Sequence, residues 1–234
     1  MNLNSIIIVI SLSFFSSSLF AQECVVLLHG LARTSASMNK LEMAISKAGY
    51  VVANIDYPSR TRPIEELAEL AVKKGLAQCQ QLKAKPVNFV THSLGGILVR
   101  QYYKKHKPAN VKRVVMLGPP NKGSEIVDNL KDVMGFELLM GPAGKQLGTS
   151  KQDVPKRLGP VNFELGVIAG TNSINLLLSS YLPDPDDGAV SIESAKIEGM
   201  RGFVALPVTH LFMMRNDRVI KQVIHFLLQG RFLN

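Results

Sequence analysis

The sequence predicts an α/β fold, with one mostly parallel central sheet carrying helices on both faces. Three observations carry the prediction. Val25 to Leu28 is fully apolar, and Val87, Phe89 and Val90 form a second short apolar run; both suit strands buried on two faces. Strand-like and helix-like stretches alternate three times before residue 111, the pattern of right-handed crossovers in a parallel sheet. The chain has 234 residues, 46% of them hydrophobic, which is enough for one sizeable core and one domain. Trp is absent and aromatics are sparse, so aliphatic packing must dominate.

The N-terminus stands outside this pattern. Ile6 to Ala21 is apolar, Ser-rich and uncharged, and reads as a secretory signal cleaved after Ala21, leaving residues 22–234 as a single domain. An uncleaved membrane anchor is the rival reading. Residues 1–21 hold no charged side chain, so the net charge of +9 belongs wholly to the remainder. The expected destination is the periplasm or the exterior. No later apolar run is long enough to span a membrane.

The first strand, Val25 to Leu28, runs into His29-Gly30-Leu31. Met38, Leu41, Ile45 and Ala48 recur at helical spacing, and Gly49 closes that helix. A second strand spans Tyr50 to Ile55. The next helix has Pro63, Glu65 and Glu66 in its first turn and Lys73 and Lys74 near its end, an order that suits the helix dipole. The Val87 strand, a helix from Gly95 to His106 and a strand from Val111 to Leu117 follow. The regular pattern then lapses. Residues 121–161 are rich in Gly, Pro and charge, and read as a cap-like insertion above the sheet; a plain surface excursion is the alternative. Leu165 to Ala169 and Phe203 to Leu206 are the last strands. The closing helix runs from about Asp217, capped by Asn216 and ended by Gly230.

Cys24 precedes the first strand, and Cys79 lies near the end of the helix leading to the Val87 strand. Strand starts and helix ends share one rim of such a sheet, so the two sulfurs are candidates for a disulfide in an exported protein. Two separate thiols are the alternative.

Chemistry concentrates at His92-Ser93-Leu94-Gly95-Gly96, between the Val87 strand and its helix. A serine there is lifted out of the sheet and backed by a helix N-terminus, whose unpaired N–H groups favour negative charge. Gly95 and Gly96 remove Cβ atoms where strand, turn and helix crowd together. This is the geometry of a nucleophile elbow, with Thr91 in place of the first glycine of G-x-S-x-G. On the motif alone, a serine that merely caps the helix stays open. His29-Gly30-Leu31 after the first strand suits an oxyanion loop. The Leu31 N–H would be one donor and the Leu94 N–H, next to the nucleophile, the other.

A serine needs a base. His106 and His225 lie in helices and read as structural or solvated, while His29 and His92 belong to the oxyanion and elbow segments. His210 alone sits in a loop beyond the last strand, at the rim expected for Ser93, and is the candidate general base. The acid should fall between them in the chain. Asp187 is the candidate, with Gly188 to turn its carboxylate inward. Asp184 and Asp186 read as solvated neighbours, and Asp128 and Glu125 are runners-up.

Taken together, residues 26–31, 91–96, 187–190 and 209–210 resemble the α/β-hydrolase superfamily, in particular small bacterial serine lipases and esterases. The resemblance covers nearly all of residues 24–230. It implies ester cleavage through a Ser93–His210–Asp187 triad and an acyl-enzyme, on a small-molecule or lipid acyl ester. Phospholipase, thioesterase or acyltransferase activity on the same triad is the nearest alternative, and a non-catalytic binding protein on the same scaffold is the alternative of a different class. No residues have metal-ligand spacing, no cofactor is expected, and nothing resembles a nucleic-acid module. Lys104, Lys105, Lys107, Lys112 and Arg113 cluster around one connection. They offer peripheral contact with an anionic membrane surface, or simply a solvated face.

Overall fold

A computed structural model describes residues 22–107 and 111–233. The expected signal segment, residues 1–21, lies outside them. Six strands form one sheet: β1 (Cys24–Leu28), β2 (Val51–Ile55), β3 (Val87–His92), β4 (Val111–Leu117), β5 (Leu165–Gly170) and β6 (Gly202–Leu206). Their order is β2-β1-β3-β4-β5-β6, and every pairing is parallel. The helices that cover the sheet are α1 (Asn39–Lys47), α2 (Ile64–Gln81), α3 (Leu94–Lys105) and, near the end of the chain, α9 (Asp217–Gln229).

Two cores explain why the strands are so apolar. Val26 and Leu28 of β1 pack with α2 and α3 on one face. Val25 and Leu27 pack with α1 and α9 on the other. Successive strand residues point to opposite faces, so a sheet covered on both sides must be apolar at every position. All five residues of β1 are buried. Asn216 caps α9 by accepting from the Arg218 and Val219 N–H groups, and Gly230 ends it in the left-handed conformation.

The strand order fixes where a site can form. After β1 the chain steps outward to β2, then returns past β1 to β3 and continues in the opposite direction. At that reversal the loops after β1 and β3 diverge to opposite faces and leave a crevice at the strands' carboxyl ends. His29-Gly30-Leu31 and Ser93 lie at those two ends, with Leu28 beside Thr91 in register. Cys24 and Cys79 are joined at the other end, with their Cα atoms 5.8 Å apart.

Residues 121–161 are more ordered than their composition announces. They form α4 (Glu125–Leu130), α5 (Phe136–Lys145) and α6 (Val154–Leu158), with α5 kinked at Gly141-Pro142. Two further short helices, α7 (Leu176–Ser179) and α8 (Ile192–Ala195), follow β5. Arg100 of α3 ties the region down from below. Its buried guanidinium donates to the carbonyls of Asn121, Pro155 and Gly159 at 2.8–3.0 Å. With only neutral acceptors around it, burial pushes its pKa down to about 10, so it stays charged at neutral pH. Among the described residues no helix is long and apolar enough to cross a membrane.

Candidate active site

Ser93 is the single residue between β3 and α3, and its backbone is held at φ 51°, ψ −118°. That conformation is sparsely populated for a residue with a Cβ and costs on the order of 1–3 kcal/mol. The surroundings enforce it. The Ser93 N–H donates to Leu117 O at 2.9 Å, and the Gly96 N–H donates back to Ser93 O at 3.0 Å. A Cβ on Gly95 would stand 2.7 Å from Leu28 O, so the helix can approach β1 this closely only with glycine there. Thr91 is fully buried in the place of the missing first glycine. The Ser93 side chain makes no capping hydrogen bond to α3 and instead lines a cavity, which sets aside the helix-cap reading.

Asp187 and His210 meet beside that cavity. His210 Nδ1 lies 2.9 Å from Asp187 Oδ2, and both side chains are almost fully buried. Asp187 Oδ1 accepts from the Ala189 and Val190 N–H groups at 3.0 and 2.8 Å. A backbone bond from His210 N to Asp187 O, 2.9 Å, joins the same two residues again. With a carboxylate accepting at Nδ1, the proton of the neutral ring sits there and Nε2 is left as the basic nitrogen. Gly118, after β4, makes room for the pair. A Cβ there would lie 3.0 Å from both Asp187 Oδ2 and His210 Nδ1.

One expectation for the neighbours needs correction. Asp186 is not solvated: it is buried, accepting from Ser179 Oγ at 2.8 Å and from the Gly188 N–H at 2.6 Å. Both carboxylates accept N–H groups of the 184–190 turn, and Asp187 also meets the histidine, while Asp184 is exposed. The runners-up lie elsewhere. Asp128 binds the N–H and hydroxyl of Thr149, and neither it nor Glu125 lines the cavity. His106 pairs with Glu69 at 2.6 Å, and His225 Nδ1 contacts Arg231 O at 2.8 Å.

The two histidines of the loop segments act as braces. The His29 ring stacks on Tyr57 with centroids 4.0 Å apart, donates from Nδ1 to Gly30 O and accepts the Tyr57 N–H at Nε2. The Tyr57 hydroxyl donates to His29 O. The turn that brings Leu31 to the cavity is thereby fixed by one ring stack and three hydrogen bonds. His92 donates from Nε2 to His210 O at 3.0 Å, steadying His210 through its backbone, while its Nδ1 is buried without a partner. Burial lowers the pKa of both rings, His92 well below the ordinary histidine value, where the neighbouring His210 adds to the effect. Tyr57 and Gly118 do not stand out in the sequence; the only signals are an Asp-Tyr-Pro strand end and a Gly-Pro-Pro break.

The cavity holds about 370 Å³. It is lined by Leu31, Ser93, Asp187 and His210, by Phe136, Met140 and Leu147 from the 121–161 segment, and by Ile174 and Leu178. The Leu94 side chain is buried in the core, leaving its backbone at the elbow. Among the described residues no group of three or more His, Cys, Asp or Glu side chains is arranged to hold a metal ion. The arrangement brings together a serine that lines an apolar chamber and an oriented imidazole with a buried carboxylate behind it, groups suited to acyl transfer.

Comparison with known proteins agrees with this architecture. No curated protein matches the chain. Its fold is similar to the mature lipase BlEst2 of Bacillus licheniformis, with 20% identity and a TM-score of 0.66, covering 89% of this chain and 90% of that one. It is also similar to an esterase of Exiguobacterium antarcticum, with 15% identity, a TM-score of 0.62 and coverage of 89% and 93%. A third likeness is to the phospholipase PlaB of Legionella pneumophila in complex with thio-NAD, with 15% identity, a TM-score of 0.69 and coverage of 90% and 59%. At such identities the likeness is one of fold. The family model described as the alpha/beta hydrolase fold matches residues 23–167, more than half of the sequence, and the chain belongs to that family.

Proposed function

We propose that this protein is an exported carboxylic-ester hydrolase of the lipase or esterase type. The observation that carries the reading is the buried Asp187–His210 bond at 2.9 Å beside the same apolar cavity that Ser93 lines. In this reading His210 Nε2 takes the proton of Ser93 Oγ as it attacks the acyl carbonyl. Asp187 stabilises the imidazolium that results. The Leu31 and Leu94 N–H groups receive the oxyanion, a contribution of about 10²–10³ in rate for each donor. The alcohol leaves with the proton from His210, and water, activated by the same imidazole, hydrolyses the acyl-enzyme. The apolar wall from residues 121–161 supports a cap that shapes an acyl pocket.

The test is hydrolysis of p-nitrophenyl esters of increasing chain length by wild type and by Ser93→Ala, with fluorophosphonate labelling of Ser93. Activity abolished by the substitution, together with labelling, supports the reading. An inert wild type that takes no label leaves the non-catalytic binding scaffold as the answer. Phospholipase, thioesterase and acyltransferase activities use the same residues and are separated by their leaving groups and acceptors. Export is supported by the apolar N-terminal segment and by the Cys24–Cys79 disulfide, which suits an oxidising compartment. A mature N-terminus at Gln22 in the exported fraction tests it.

A further inference from the structure

Three separate segments line the cavity and also carry exposed apolar side chains, and the one exposed carboxylate among residues 133–139, Glu137, is paired with Lys145 at 3.0 Å. Phe136 and Met140 of α5 point into the cavity, while Met134 and Leu138, on the same stretch, are 99% and 86% exposed. Ile174 and Leu178 line the cavity, while Leu176 and Leu177 between them are 81% and 72% exposed. Leu211 reaches the cavity beside His210, and the adjacent Phe212 is 52% exposed. Each segment thus turns one apolar edge inward and leaves the next apolar side chains in water. Soluble monomers rarely expose contiguous apolar patches of this kind without a partner.

Two features identify the partner. The apolar surface is continuous with the cavity, so whatever covers it also delivers material to Ser93. The protein is cationic, with 27 Lys and Arg against 18 Asp and Glu, and the exposed Arg33 lines the same cavity. We propose that the collar formed by residues 133–139, 174–177 and 211–212 seats on the surface of an anionic phospholipid bilayer, with Arg33 facing the phosphate layer and the cavity opening onto the acyl chains. Exposed leucines, a methionine and a phenylalanine enter the interface, and basic charge holds the protein close to it. This differs from contact through the Lys104–Arg113 cluster, where Lys112 and Arg113 are already engaged with Glu23 and Glu164 at the far end of the sheet.

The inference rests on the ester-hydrolase reading only for what enters the cavity; docking itself needs no turnover. The measurement is therefore made on Ser93→Ala protein beginning at Gln22, which contains every strand and helix described. Its co-sedimentation is followed with sucrose-loaded vesicles of phosphatidylglycerol and phosphatidylcholine, and of phosphatidylcholine alone. Binding to the anionic vesicles should be strong and should fall about tenfold or more with Leu138→Ser/Leu177→Ser, at an unchanged melting temperature. Arg33→Gln should weaken it by about fivefold, near one basic residue's share at an anionic surface. No binding, equal binding to both vesicle types, or binding untouched by the leucine substitutions overturns the proposal. So does a dimer in solution that the leucine substitutions dissociate, which would assign the collar to a second copy. A protein that hydrolyses soluble esters but ignores vesicles refutes docking alone; one that docks but never turns over refutes the activity alone.

Discussion

Asp187→Asn is the most informative single substitution at this site, because its effect follows from a count of donors and acceptors. Asp187 Oδ1 receives two backbone N–H groups, from Ala189 and Val190, and Oδ2 receives the His210 Nδ1 proton. An asparagine of the same shape has one acceptor oxygen and one NH₂. Turning the NH₂ toward the two backbone donors would leave both unsatisfied in a buried turn, at about 1–3 kcal/mol each. The oxygen therefore stays with them, and the NH₂ faces His210. Two donors cannot face one another, so Nδ1 gives up its proton and the ring carries it on Nε2. The imidazole then presents N–H, rather than a lone pair, toward the serine. The expected loss in kcat is about 10⁴-fold, near 5.5 kcal/mol of activation free energy, as where such a carboxylate has been amidated in a serine protease. KM for a soluble ester and the melting temperature should change little, since the turn keeps its bonds. Initial rates on p-nitrophenyl butyrate, normalised to correctly folded protein, measure it. A folded Asp187→Asn enzyme within tenfold of wild type would refute the assignment of Asp187 as the group that orients the base.

Two further outcomes follow from the fold. The Cys24–Cys79 bridge closes a loop with a sequence separation of 55. Its loss in Cys24→Ser/Cys79→Ser should cost about 4 kcal/mol on the chain-entropy estimate, which lowers the melting temperature by roughly 10 °C for a domain of this size; an unchanged melt would show that the bridge constrains nothing. Burial depresses the pKa of His29 and His92, so both rings are neutral in the native state where the unfolded chain is protonated below about 6.5. The unfolded state then binds more protons, and stability falls as the pH drops from about 6.5 toward the folded values, by at most about 1.4 kcal/mol per pH unit for each ring. Urea titrations between pH 7.5 and 5.5 should show this slope, and His92→Gln should make it shallower; a flat profile contradicts the neutral, buried assignment.

The strand and helix framework was legible because its physical cause is local. A sheet covered on both faces demands apolar runs such as Val25–Leu28, and helices facing one core demand the spacing of α1 and α9. The segment after Gly118 was not legible in the same way. Phe136, Met140 and Leu147 serve a cavity wall, and Met134, Leu138 and Leu139 face outward, so no single period runs through α4 to α6. The turn at Asp186-Asp187 shows the same limit. Two adjacent carboxylates are both buried, and their neighbours Ser179 and His210 decide what each one does.

The sequence by itself determined the α/β architecture, the serine at the end of the third strand and the chain order of serine, carboxylate and histidine, since these depend on hydrophobic period and on residues close in the chain. Only the tertiary structure decided that Ser93 lines a cavity rather than capping its helix, that Asp187 and not Asp186 meets His210, and that Tyr57 and His29 together brace the turn leading to Leu31. Contacts around the cavity join residues up to 118 positions apart, as between His92 and His210. The strand order that folds β3 back past β1 brings them to one rim. That order is a property of how the sheet closes its two cores, and no local stretch of the chain carries it.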